Sequence, residues 1–323
     1  MKTPISVVCR GNPACSRARV QIMNVPFDPI SEPEAIERIL SSIAGGRGGS
    51  VVTPNLDIVR QVTHEPSLLA FIESADLSLA DGTTVVWASH LQGTPLPERV
   101  TGSSLIFTLN EAAAAARVPV FLLGGAPKTA EGAALRLEER YSGLRVVGTH
   151  CPPFSDFAEG SAELDEICAR LRESRPRIVF VGLGFPKQEQ LIAKLRLVLP
   201  EAWFLGVGMA LGFASGEVSR APRWMQVVGL EWFHRLIQEP RRLFRRFVIL
   251  GIPFSLRLFA NALHTRISGT TAPPRELVRE PATGLVPAPR SAAARSARPS
   301  ARGLVRGRSA IGSVPAARLP SPS

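Results

Sequence analysis

The stretch from Arg177 to Ile192, RIVFVGLGFPKQEQLI, joins an apolar run to a glycine pair and then to polar side chains. IVFV has the composition of a strand buried on both faces. Gly182 and Gly184 permit a bend free of side chains, and the pattern predicts a helix over 185–197. A strand, a glycine bend and a helix start bring backbone N–H groups and the positive end of a helix dipole to one point, which suits a phosphate. Lys187, Gln188 and Glu189 fall in the first turn, where polar side chains would face whatever fills that crevice. Gly-x-Gly also serves to pack a helix closely on a strand, so the turn alone leaves both readings open.

The elements that must position these residues alternate. Strands are predicted at 50–53, 77–81, 118–123, 144–148, 178–181 and 203–207. Helices are predicted at 34–43, 66–74, 84–91, 103–116, 128–141 and 162–174, the first announced by Ser31, Pro33 and Glu34. Such alternation predicts an α/β fold, a Rossmann-like, mostly parallel sheet with helices on both faces. Nearly every strand ends in small or polar residues: TPN, ADG, LLGG, GLG and GVG. Ligands of open parallel sheets bind beyond the carboxyl ends of the strands, so Thr53, Asn55, Asp81 and Gln188 are expected to share one crevice. Asn and Asp are ordinary turn residues too, and it is their convergence that points to a site.

After Val207 the character changes. Arginines and aromatic residues crowd 217–246, and Trp224, Val228, Trp232 and Leu236 recur every four residues, which predicts one helix with an apolar stripe. Pro240 interrupts it, beside Arg235, Arg241, Arg242, Arg245 and Arg246. Arginine grips phosphate oxygens in bidentate fashion. The segment 247–263 is apolar but broken by Pro253 and Arg257, so it reads as an interfacial amphipathic piece or as a helix packed on the domain or on a sister subunit. No segment reaches the roughly 20 apolar residues of a membrane span.

The 323 residues suffice for one α/β domain with appendages. The expected division is a disordered N-terminus (1–19), a core (20–216), a helical appendage (217–266) and a disordered tail (267–323). The net charge is +11, and 271–323 holds nine arginines against two glutamates, so seven of those charges lie there. Rich in Pro, Ala and Ser, that tail has too few large apolar residues to order itself. Its charge suits an anionic membrane surface or nucleic acid, or plain solvation. Cys9, Cys15, Cys151 and Cys168 show neither C-x-x-C spacing nor companion histidines, which suggests reduced thiols of a cytoplasmic protein.

TPN, ADG, ERVTG, FLLGGAP, GLGFPKQE, RAPRW and GLEWFHRLIQEPRR occur in the order found in bacterial glycosyltransferases of the WecG/TagA/CpsF type. The resemblance covers about residues 20 to 263, nearly all of the chain expected to be ordered. It implies an inverting, metal-independent enzyme that moves an N-acetylmannosamine-type sugar from a UDP-sugar donor to a polyprenyl-diphospho-GlcNAc acceptor. Such enzymes build cell-surface polysaccharide or teichoic acid, on the cytoplasmic face of the plasma membrane. By the same resemblance, Asp81 is the general base, Thr53, Asn55 and Gln188 line its pocket, and Arg99 of ERVTG stabilises the leaving diphosphate. Arg235, Arg242 and Arg245 are expected to hold the acceptor's diphosphate. Two positions depart from the family pattern: Ser104 and Gly212 stand where it usually has aspartate, which puts donor choice in question.

Inverting transfer needs a base for the acceptor hydroxyl, charge stabilisation for the leaving nucleotide and exclusion of water. The sequence has no Asp-x-Asp and no histidine pair at metal spacing, so arginine and the glycine-turn N–H groups are expected to supply the charge, with no cofactor and no metal. Two rival readings remain. A dinucleotide-dependent oxidoreductase lacks the third glycine and the acid at the next strand end. A basic membrane or nucleic-acid adaptor would rest on the tail, which lacks the interleaved aromatics of a stacking platform; no nucleic-acid partner is expected. A homo-oligomer through the apolar appendage stays open.

Overall fold

The computed structural model describes residues 18–153 and 157–269. Of the disorder expected at 1–19 and 267–323, residues 1–17 and 270–323 lie outside the described residues, with the arginine tail, Cys9 and Cys15, whereas Ile267 and Ser268 belong to the last helix.

The chain opens with a two-stranded antiparallel hairpin, β1 (Val20–Ile22) and β2 (Val25–Phe27). Met23 and Asn24 both take positive φ at its turn, the geometry that matches hairpin twist. Helix α1 (Glu32–Ala44) begins on a complete capping box between Ser31 and Glu34. Then follow β3 (Gly49–Val52), α2 (Leu56–His64), a short 3₁₀ turn at Pro66–Leu68, α3 (Leu69–Glu73) and β4 (Leu77–Ser78). Next come α4 (Thr83–Gln92), α5 (Gly102–Ala115), β5 (Pro119–Gly124), α6 (Thr129–Arg140), β6 (Arg145–His150) and α7 (Ala162–Ser174). The core closes with β7 (Ile178–Gly182), α8 (Lys187–Val198), β8 (Trp203–Gly206) and α9 (Ala210–Ser215).

Six strands form one sheet in the order β4-β3-β8-β7-β5-β6, and every neighbouring pair runs parallel. The period of two sorts side chains to opposite faces. Val120, Leu122, Ile178, Phe180 and Leu205 pack with Ile39, Leu105, Leu109 and Leu137 on one face. Phe121, Leu123, Val179, Val181 and Phe204 pack with Ile167, Leu171, Leu191 and Leu195 on the other. Strands buried on both faces and helices on both sides are what the apolar runs predict.

The region after 216 differs from expectation in two ways. The four-residue stripe does not lie on one helix: α10 (Arg223–Val227) ends, Gly229 turns at φ +77°, and α11 (Glu231–Gln238) starts anew. A glycine in αL stops a helix whatever the periodicity of its neighbours. Secondly, Pro253 breaks nothing. Helix α12 (Pro240–Phe244) runs through a π-helical turn (Arg245–Gly251) into α13 (Ile252–Ser268). The wider π turn lies just upstream of Pro253, where its ring and missing N–H would otherwise disrupt the ladder. The result is a 29-residue helical run, Pro240–Ser268, long and apolar enough to cross a membrane by length and composition. One face of it is nonetheless committed to protein: Phe254, Leu258 and Ala262 are buried against a cluster from β1, β2, α2 and α4 that includes Phe27, Ile58, Val85 and Ala88.

Candidate active site

A cavity of about 1070 Å³ opens beyond the carboxyl ends of β3, β5, β7 and β8. Thr53, Asn55, Asp81, Arg99, Gly182, Gly184, Gln188, Arg235 and Arg242 all line it. Arg245 does not; it is exposed on the π-helical turn, and Arg246 lines the cavity instead.

Asp81 is reached by extended chain beyond the two-residue β4. Its N–H donates to the Pro54 carbonyl, 3.1 Å, which ties ADG to TPN. Gly82 follows at φ +152°, a conformation open to glycine, and turns the chain into α4. Burial pushes the Asp81 carboxyl up to about 7, against the pull of Arg99, Arg235 and Arg220 and with a push from Glu231. A carboxyl held near neutrality in a cleft can exchange a proton at physiological pH.

The neighbours of Asp81 are mostly occupied with structure. Thr53 is buried and its Oγ1 donates to the Gly206 carbonyl, 3.4 Å, linking β3 to β8. Asn55 is the N-cap of α2, its Oδ1 accepting from the N–H groups of Asp57 and Ile58 at 3.1 Å. Gln188 clamps two loops: its Oε1 accepts from Gly184 N–H (3.1 Å) and Gly208 N–H (3.0 Å). Its Nε2 donates to Glu189 Oε1, 2.8 Å, and burial raises that carboxyl to about 7.

Three backbone N–H groups around the glycine bend are therefore not free to cradle a phosphate. The N–H groups of Gly184 and Gly208 are taken by Gln188, and that of Gly125 by the Gly182 carbonyl, 3.0 Å. Gly182 answers to packing: a Cβ there would lie 2.7 Å from Leu211 Cδ1 and 2.8 Å from the Gly208 carbonyl oxygen. Gly184, at φ +77°, is needed for the turn itself.

Positive charge comes from side chains. Arg99 Nη1 donates to Glu231 Oε2, 3.3 Å, and Arg220 Nε lies 3.7 Å from Glu231 Oε1. Arg235 and Arg242 both direct Nη2 at the Met209 sulfur, at 2.9 and 3.3 Å. Arg242 also pairs with Glu239, and Arg246 with Asp57 at 2.9 Å. Burial, then the charges of Arg246 and Arg242, presses the Arg235 pKa down, and its Nε is buried without a hydrogen-bond partner. Two guanidinium groups directed at one thioether, which is a poor acceptor, leave anion-binding capacity unused. Among the described residues no three His, Cys, Asp or Glu side chains are grouped to hold a metal ion.

Arg220, Glu231 and Arg246 escaped the sequence reading as site residues. Arg220 and Glu231 stand inside the RAPRW and GLEWFHR motifs, but Glu231 meets Arg220 and Arg99 only in the fold; Arg246 stands one position beyond the arginine singled out. The two departures resolve differently. Ser104 is not at the cavity: it completes the N-terminal cap of α5 and donates to Glu32 Oε2, 2.6 Å, so the local carboxylate comes from α1. Gly212 does line the cavity, and so does Glu217 five residues later, held by Thr129 Oγ1 at 2.7 Å.

The cavity thus sits at the carboxyl edge of an open parallel sheet and holds a buried carboxylate beside a cluster of arginines. The description "Glycosyl transferase WecG/TagA/CpsF family" matches residues 20–268, and the chain belongs to that family. It is 30% identical over 249 residues to the N-acetylglucosaminyldiphosphoundecaprenol N-acetyl-beta-D-mannosaminyltransferase of Staphylococcus aureus (strain MW2), covering 76% of this chain and 93% of the relative. The protein of the same name from Bacillus spizizenii is 31% identical over 235 residues, 70% of this chain and 87% of its own. The chain is a glycosyltransferase.

Proposed function

We propose that this glycosyltransferase moves an N-acetylmannosamine-type sugar from a UDP-sugar to a polyprenyl-diphospho-GlcNAc acceptor, with inversion at the anomeric carbon. The supporting observation is that Asp81 and the arginines of the C-terminal helices line one cavity. In this reading a hydroxyl of the acceptor GlcNAc attacks the anomeric carbon and gives its proton to Asp81. The bond from that carbon to the UDP oxygen breaks, and its electron pair leaves with UDP. Arg99 meets the charge that develops on the leaving diphosphate, and Arg235 and Arg242, with Arg246 beside them, hold the diphosphate of the acceptor. Placed ahead of the reaction, such groups need little reorganisation as charge shifts.

Gly212 and Glu217 are the residues proposed to shape donor choice, since one leaves room and the other brings a carboxylate to the same wall. The core of 20–216 is proposed to bind donor, and 217–266 to close over it and meet the membrane from the cytoplasmic side.

The test is a panel of UDP-sugars incubated with a short-chain prenyl-diphospho-GlcNAc and read by product mass. The expected result is one added N-acetylhexosamine, with UDP-N-acetylmannosamine the best donor. Transfer only of a different sugar class would reassign the donor, and no transfer to this acceptor would reject the reading.

A further inference from the structure

Glu231 is the first residue of α11, and its carboxylate reaches two arginines from other parts of the chain. Arg99, from the loop before α5, donates to one oxygen at 3.3 Å; Arg220, from the loop before α10, approaches the other at 3.7 Å. The Glu231 side chain is 14% exposed, so these ion pairs are only partly screened. A second contact anchors the same helix start. Gly229 packs so closely on Thr83, two residues after Asp81, that a Cβ there would sit 2.7 Å from Thr83 Oγ1. The start of α11 is thus fastened at two points to the chain around Asp81, and one turn further on the helix carries Arg235 into the cavity.

We propose that Glu231 is a positioning residue of the transfer reaction, the carboxylate that fastens the arginine-bearing helix to Arg99 and Arg220 beside Asp81. This rests on the reading of Asp81 as the base. Glu231 does three things there. It fixes the direction of the Arg99 guanidinium, which a donor diphosphate then shares. It sets the distance between the donor's arginine and the acceptor's Arg235. It adds a negative charge next to Asp81, whose other charged neighbours, Arg99, Arg235 and Arg220, are all positive. A like charge disfavours ionisation, so Glu231 holds the base nearer the working pH than the arginines alone would.

The experiment compares the full chain with Glu231→Gln for kcat, donor KM, pH-rate profile, UDP binding and melting temperature. The amide keeps the size and loses the charge. Expected is a fall in kcat of about tenfold or more through misplaced reacting groups, with UDP binding not weakened because Arg99 is released. The acid limb of kcat/KM should move to lower pH. Arg220→Gln removes the opposite charge and should move that limb to higher pH; this second variant decides the matter should Glu231→Gln fail to fold. A kcat within about threefold of the parent, or a loss of rate with an unmoved acid limb in both variants, overturns the proposal. Asp81→Asn run in parallel separates the two readings. If that variant is inactive while Glu231→Gln behaves as the parent, Glu231 alone is rejected; if Asp81→Asn stays active, the base assignment itself falls.

Discussion

Asp81, the proposed base, is a charge that the fold disfavours. The ordinary value of an aspartyl carboxyl is 3.8, and burial raises Asp81 to about 7 in the folded protein. Between those values the folded chain keeps a proton that the unfolded chain has released. The stability this contributes is fully present below about pH 4 and is lost as pH rises through 7. Asp81→Asn abolishes the charged state, so it should stabilise the protein at pH 8 and change little at pH 4. Because Asp81 is partly open to the cleft, a gain of about 2–4 °C in melting temperature at pH 8 is expected, alongside a loss of kcat of about 10²–10⁴-fold. With Asp81 as the proposed base, parent activity should rise with pH through about 7 as its carboxyl ionises. Thermal melts at pH 4 and 8, set beside turnover across the same range, check both halves. A variant that is inactive yet no more stable at pH 8 would mean that the charge is better solvated than its burial implies.

At the scale of elements, the cleft is framed by loops that one amide ties together. Gln188 Oε1 satisfies two glycine N–H groups from different strand ends, and Nε2 is directed by Glu189. Gln188→Leu would strand both N–H groups and the Glu189 carboxyl. Each unpaired buried group costs about 1–3 kcal/mol, so urea denaturation should show a loss of about 3 kcal/mol or more, with weaker UDP binding as the loops part. A fully stable variant would show that water replaces the amide, and that the clamp matters less than its geometry suggests. This arrangement also marks where sequence reasoning stops. The capping box at Ser31 and Glu34, the buried strands and the polar strand ends are local patterns, and they were legible. The clamp joins Gln188 to Gly208, twenty residues on, and the Arg99–Glu231 pair spans 132 positions; no periodicity encodes such meetings. The four-residue stripe misled for the opposite reason. Its spacing is real, but Gly229 turns the chain between Trp224 and Trp232. Helix α2 went unread because the sequence reading of TPN as a strand end makes Asn55 pocket lining, whereas it is also the cap of a helix.

The whole molecule presents a helix with two apolar faces. Phe254, Leu258 and Ala262 bury one face in the core, while Ile252, Leu256, Leu263 and Ile267, with Ile249 a turn earlier, are exposed on the other. Their spacings of three, four and seven residues put them on one side. The packed-helix reading of this segment describes its buried face, and the exposed apolar face is the one that an interfacial reading needs. The packed face means that deleting 235–263 would uncover core residues and confuse unfolding with lost membrane contact. Charge placed on the outer face avoids this. Ile249→Glu with Leu256→Glu, at positions 55% and 65% exposed, should leave the melting temperature within about 2 °C of the parent. The same pair should cut co-sedimentation with phosphatidylglycerol vesicles by about tenfold or more, since each carboxylate must stay out of the acyl region. Removing 271–323 takes away seven net positive charges and should weaken binding to anionic vesicles at low salt, while turnover with a water-soluble short-chain acceptor continues. An adaptor working through its tail would behave the other way, losing its function with the tail and ignoring the helix. Vesicle binding by the double variant equal to that of the parent would remove the outer face from the membrane contact and leave the tail as the part that reaches the lipid.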